Sequence, residues 1–147
     1  RVNGDAIKGA QTCKKGQHGN NDDGIGLTES IEINGPDFIF FLHHLNAGLR
    51  TSLIRRSLQE VIDDASDSDR IEGLTMYPAG KGFSAARFVS TFEKSGNVYY
   101  CLGMLRYSGT SFSGARHRVF GIYCESNGDE VTNARADEVI AAIETDF

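Results

Sequence analysis

The sequence predicts an α+β fold: a long helix in the N-terminal half packed on an antiparallel sheet, a meander of three to five strands, with a short C-terminal helix. Three observations lead there. Apolar residues recur at Ile39, Leu42, Leu45, Leu49 and Leu53, close to the 3.6-residue period of a helix. Three segments rich in aromatic and β-branched residues follow between 85 and 125, separated by turns that contain Gly, Ser or Asn. A final segment, 134–145, carries Val139, Ile140 and Ile143 on one face, behind a capping Thr132 or Asn133 and with Asp137 and Glu138 in its first turns.

Taken in chain order, residues 1–26 read as a flexible N-terminal arm. The stretch from Lys14 to Gly24 is built from Lys, Gly, Gln, His, Asn and Asp, and has little apolar surface to offset the entropy of ordering it. Residues 27–147 form a single α+β domain. Within it, 27–33 alternates at Ile31 and Ile33 as a short strand does, and Asn34-Gly35 stops it. Pro36 suits a helix entry and Asp37 places a carboxylate in the first turn. The apolar stripe continues through Ile54, Leu58, Val61 and Ile62, with Arg50, Arg55, Arg56, Gln59 and Glu60 on the other face. Asp63, Asp64, Ser66, Asp67, Ser68 and Asp69 end the helix by competing for backbone hydrogen bonds. A helix of this length exceeds the usual three to four turns, which places a break near Asn46-Ala47-Gly48. A strand at 71–77 and a turn at 78–82 lead into the meander of 85–93, 98–107 and 116–125. The middle segment is apolar on both faces, so it belongs in the centre, covered on both sides.

Composition limits the function. The chain has 147 residues and a net charge of −5, from 20 Asp plus Glu against 15 Lys plus Arg. That balance argues against a nucleic-acid partner and against adsorption to anionic lipid. The longest apolar run, 38–42, is far short of the roughly 20 residues that cross a bilayer as a helix. The chain starts at Arg1. A removed signal peptide or membrane anchor and an excised domain are all compatible with that start, so the compartment has to be read from the cysteines.

There are three cysteines, Cys13, Cys101 and Cys124. Pairing 98–107 with 116–125 as a hairpin allows two neighbouring registers of the right parity. One sets Cys101 opposite Ile122, with Cys124 diagonal to it, and the other sets Cys101 opposite Cys124. Both place the two sulfurs on one face, and a directly opposite pair is close enough to be bridged. A Cys101–Cys124 disulfide implies an oxidising, extracytoplasmic compartment, periplasmic or secreted. The alternative is a pair of small buried hydrophobes in a cytosolic sheet. Cys13 is left over: free, paired between chains, or competing for one of the others.

Catalytic, metal and cofactor motifs are weak. His43 and His44 are adjacent, so on a helix they point about 100° apart rather than forming a two-ligand face. With no CxxC, HxxxH or HExxH, a site assembled from Cys13, His18 and a helix histidine has little support, and no metal is expected. Gly80-Lys81-Gly82 lacks the frame of a phosphate loop, and no cofactor is expected. The loop 108–114 supplies hydroxyls near His117, which is the basis for a small hydrolase-type alternative. No GxSxG elbow supports it, and no catalytic residue is assigned. Phe88, Phe92, Tyr99, Tyr107 and Tyr123 do not make the aromatic-rich recognition strands of an RNA-binding sheet.

The densest positive cluster is Arg106, Arg116, His117 and Arg118, where the last hairpin meets its loop, with Arg87 on the neighbouring strand. The first of the two registers sets Arg106 opposite His117 and Arg116 opposite Tyr107. Arginine forks suit carboxylate and phosphate. The competing reading is charge guarding a sheet edge. The functional expectation is an exported, non-enzymatic recognition domain that binds a protein partner or a small anionic ligand through this Arg/His patch. A cytosolic regulatory subunit, pairing through the apolar helix stripe, is a further alternative.

Overall fold

The computed structural model describes residues 2, 7–20, 24–47, 52–66, 68–109 and 114–144. Its strands are β1 (Ala10–Asn20), β2 (Gly24–Asn34), β3 (Phe38–Asn46), β4 (Arg70–Tyr77), β5 (Ser84–Phe92), β6 (Asn97–Ser108) and β7 (His117–Glu125). They form one seven-stranded antiparallel sheet in the order β1-β2-β3-β7-β6-β5-β4. Two short helices complete the described elements, α1 (Leu58–Ala65) and α2 (Asn133–Ala142).

The long N-terminal-half helix does not exist, and with it the expected fold class falls. Residues 38–46 are β3, which lies between β2 and β7, with one face buried and the other half-exposed. Phe38, Phe40 and Leu42 are buried on one side, while Ile39, Phe41, His43 and Leu45 point to the other. A strand with apolar residues on both faces carries them at consecutive positions, and any such run contains a helical spacing. Further along the supposed stripe, Leu53 makes an isolated bridge to Ala115 and Ile54 is 82% exposed. Leu49 lies outside the described residues. Only Leu58, Val61 and Ile62 are helical, buried by α1. Residues 10–20, assigned from sequence to the arm, form β1, paired with β2 from Ala10↔Asn34 to Asn20↔Gly24.

Each helix covers one face. On the α1 face, Leu58, Val61 and Ile62 pack with Ala86, Phe88, Cys101, Leu105 and Phe120. The close approach depends on Gly103, where a Cβ would stand 2.7 Å from Ile62 Cδ1. On the α2 face, Ala136, Val139 and Ile140 join Phe40, Leu42, Leu102, Met104, Val119 and Tyr123 in the larger core. Arg135 of α2 donates from Nε to the Tyr123 hydroxyl at 2.9 Å, and that hydroxyl donates to Glu125 Oε1 at 3.0 Å. Burial pushes the Tyr123 phenol up to about 12. It therefore stays protonated and keeps its donor role.

β6 and β7 take the second of the two registers. Cys101 lies directly opposite Cys124, with a Cα–Cα separation of 4.1 Å, and the two form a disulfide. Cys13 is free and exposed on β1. No helix among the described residues is long and apolar enough to cross a membrane.

Candidate functional site

The register of β6 and β7 decides which members of the arginine cluster meet. Arg106 is opposite Val119 rather than His117, and Tyr107 is opposite Arg118 rather than Arg116. Side chains alternate along a strand, so Arg87, Arg106 and His117 lie on the α2 face and Arg118 on the α1 face. Arg116 precedes β7 and is exposed; its N–H donates to the Ser108 carbonyl and its own carbonyl accepts from Ala47 N at 2.8 Å.

Arg87 is already engaged. Its Nε donates to the Val131 carbonyl at 2.8 Å, its terminal nitrogen donates to Asn133 Oδ1, and its guanidinium lies 4.8 Å from the centre of the Tyr77 ring. Those contacts hold the β7–α2 connection on the sheet. Arg87 is therefore separate from the other four, which remain at one end of the molecule.

At that end, two cross-strand rows on the α2 face make a small polar surface. Asn46, His117 and Ser108 form the outer row across β3, β7 and β6. His44, Val119 and Arg106 form the inner one. The Arg106 side chain runs past Gly82, where a Cβ would stand 3.5 Å from Arg106 Nε. His44 Nε2 and His117 Nδ1 are 3.0 Å apart and their rings stack with centres separated by 5.3 Å. One nitrogen of that pair carries the proton and the other accepts it.

Burial lowers the pKa of both imidazoles. For His117 the neighbouring His44 and Arg116 push in the same direction, whereas Glu29, opposite His44 on β2, pulls His44 back up. On the α1 face, His43 is lowered first by burial and then by Arg118.

Three buried side-chain atoms have no hydrogen-bond partner among the described residues: Asn46 Oδ1, Ser108 Oγ and Arg118 Nε. All three sit at this end of the sheet. Asn46 and Ser108 flank His117 in the outer row, and Arg118 follows His117 on β7. Buried polar atoms are nearly always paired, so these stand out: Asn46 and Ser108 on the α2 face, Arg118 on the α1 face. Among the described residues no group of three or more His, Cys, Asp or Glu is placed to hold a metal ion.

Sequence reasoning named Arg106, Arg116, His117 and Arg118 as one patch and set the hydroxyls of 108–114 near His117, but did not bring His44 and Asn46 to the same surface. The signal for those two was hidden by the helical reading of 38–46. Alternation along a strand puts His44 and Asn46 on one face, whereas a helix turns them about 200° apart. Comparison of the chain with protein families, with curated proteins and with solved structures finds no match in any of the three.

Proposed function

We propose that the chain is an extracytoplasmic, non-enzymatic recognition domain that binds a protein partner or a small anionic ligand at this polar end of the sheet. The outer row carries the reading: Ser108 Oγ and Asn46 Oδ1 are buried without partners on either side of His117. A buried polar atom with no hydrogen bond costs about 1–3 kcal/mol. A ligand recovers that cost by accepting from the Ser108 hydroxyl, while Asn46 Oδ1, an acceptor, takes a donor such as a peptide N–H or the hydroxyl of a protonated phosphate. Arg106 on the same face and the exposed Arg116 bring the positive charge that favours carboxylate or phosphate. The disulfide supports the compartment, since such bridges persist where the medium is oxidising. The regulatory-subunit alternative loses its support with the helical stripe on which it rested.

Amide shifts during titration with inorganic phosphate, and separately with a short diacidic peptide, test the site. Saturable shifts at Asn46, Ser108 and His117 are expected with one of the two. They should vanish in the Arg106→Ala, Arg116→Ala double variant while its melting temperature stays within a degree or so of the parent. Unchanged affinity in that variant removes the site.

One observation favours a second reading, a hydrolase-type enzyme. Ser108 and His117 are cross-strand neighbours, and His44 holds the His117 ring, an order of hydroxyl, base and orienting group. In that case Ser108 Oγ would add to a substrate carbonyl carbon as its proton passes to His117 and the carbonyl electrons move to oxygen; collapse of that adduct would expel the leaving group with the proton from His117, and water would then release the acyl group by the same route. A fluorophosphonate probe separates the two readings, because only the enzyme labels at Ser108 and loses labelling in His117→Ala.

A further inference from the structure

The opposite face of the sheet holds a second feature, independent of the arginines. Beyond the C-terminal end of α1 the sheet is no longer covered, and a groove of about 600 Å³ opens there. Its floor is Ile39 and Phe41 of β3 with Ile122 and Cys124 of β7. One wall is Ala65 and Ser66 at the end of α1, and the other is the β5–β6 turn with Ser95 and Asn97. Phe92 and Tyr99 meet edge to face at 5.7 Å on the turn side.

Three properties restrict what fits. No Asp, Glu, Lys, Arg or His is among the described residues that line the groove, so a charged occupant would lose its hydration with no counter-charge from them in return. The size and the apolar, aromatic lining match a small organic molecule. Ser90 also lines the groove and is only 5% exposed. A buried hydroxyl facing an apolar cleft is an orientation point for one polar atom of a ligand.

We infer that this groove is a binding site for a small uncharged molecule with a flat apolar body and a single hydrogen-bonding group that reaches Ser90. The body lies on Phe41 and Ile122 between the Phe92–Tyr99 pair and the end of α1. The polar group meets the Ser90 hydroxyl. The site is on the other face of the sheet from the Asn46–His117–Ser108 row, so the two can be occupied and disabled separately.

Three probes with one ring system test it: 1-naphthol, naphthalene and 1-naphthoate, each titrated into the intact protein and followed by calorimetry and by amide shifts. Saturable binding of 1-naphthol at one site is expected, with shifts at Ser90, Asn97, Tyr99 and Ile122. Naphthoate should bind at least about tenfold more weakly, as a charge brought into an unpaired apolar site requires. Ser90→Ala should reduce 1-naphthol to the affinity of naphthalene, a loss of about fivefold for one neutral hydrogen bond, and leave naphthalene unchanged. Ala65 is exposed, so Ala65→Arg is not expected to disturb the fold, and the charge it adds on the groove wall should weaken both neutral probes. Any one of three results overturns the inference: naphthoate binding as tightly as naphthol, equal affinity in Ala65→Arg, or shifts confined to Asn46, Ser108 and His117.

Discussion

His44 and His117 form a hydrogen bond that tolerates one shared proton and is broken by a second. With both rings doubly protonated, N–H would face N–H at 3.0 Å. Burial already depresses both, and His43 behind them. The sign of the linkage follows. Above the ordinary histidine value of 6.5 the folded and unfolded chains are both neutral at these positions and nothing is at stake. As pH falls through 6.5, the unfolded chain takes up protons that the folded chain resists. Stability is therefore lost progressively until pH drops below the depressed folded values. The melting temperature should fall as pH drops from neutral through 6.5, and His117→Asn should flatten part of that slope. A slope identical to the parent's would show that the pair contributes nothing to acid sensitivity.

Among the elements, what could be read in advance depended on how each is covered. The segments around 85–93, 98–107 and 116–125 are strands bounded by turns, and their aromatic and β-branched content distinguishes them. At β3 the same logic was available, since Phe38, Ile39, Phe40, Phe41 and Leu42 are five apolar residues in a row, three of them Phe. That composition belongs to a strand with apolar residues on both faces, but its spacing also satisfies a helix. Downstream, Ser57-Leu58-Gln59-Glu60 has the pattern of a capping box. The Ser57 hydroxyl indeed accepts from Glu60 N at 3.2 Å and starts α1. A helix start at 57 is incompatible with one continuous helix from 36. The pairing of Asn46 with His117 had no local signal at all, because it joins strands distant in sequence. At the α1–sheet contact, Gly103→Ala drives a methyl to 2.7 Å from Ile62 Cδ1 and should cost about 1–3 kcal/mol by overpacking. Ile62→Val removes that terminal carbon. The double variant should therefore be more stable than the sum of the single changes predicts, a coupling that chemical denaturation of all four proteins would reveal.

For the whole molecule, the sheet is the organising layer and each helix is a local cover. The cysteine parity was legible because side-chain alternation depends only on register, which the hairpin restricts to a few choices. The overall sheet order was not, since nothing short-range indicates that β3 pairs with β7. The Cys101–Cys124 bridge spans a sequence separation of 23 in the middle of this sheet. Replacing both cysteines by Ala should lower unfolding free energy by about 3 kcal/mol, measured by urea titration, and leave the β6–β7 register unchanged. A loss of well under 1 kcal/mol would mean that the sheet alone closes this hairpin in the unfolded ensemble.

The strand order has a kinetic consequence. Every neighbouring pair in the sheet except β3 and β7 is also consecutive along the chain. The molecule is thus two zippers, one of β1 to β3 and one of β4 to β7, each able to close over short loops. They are joined along a single seam, from Phe38↔Glu125 to Asn46↔His117. The disulfide lies wholly within the second zipper and does not tether the first. Closing the seam requires the largest loop in the fold, so the docking of two preformed halves sets the folding time. Until they dock, Phe40 on one half and Tyr123 on the other, partners across the seam, are both uncovered.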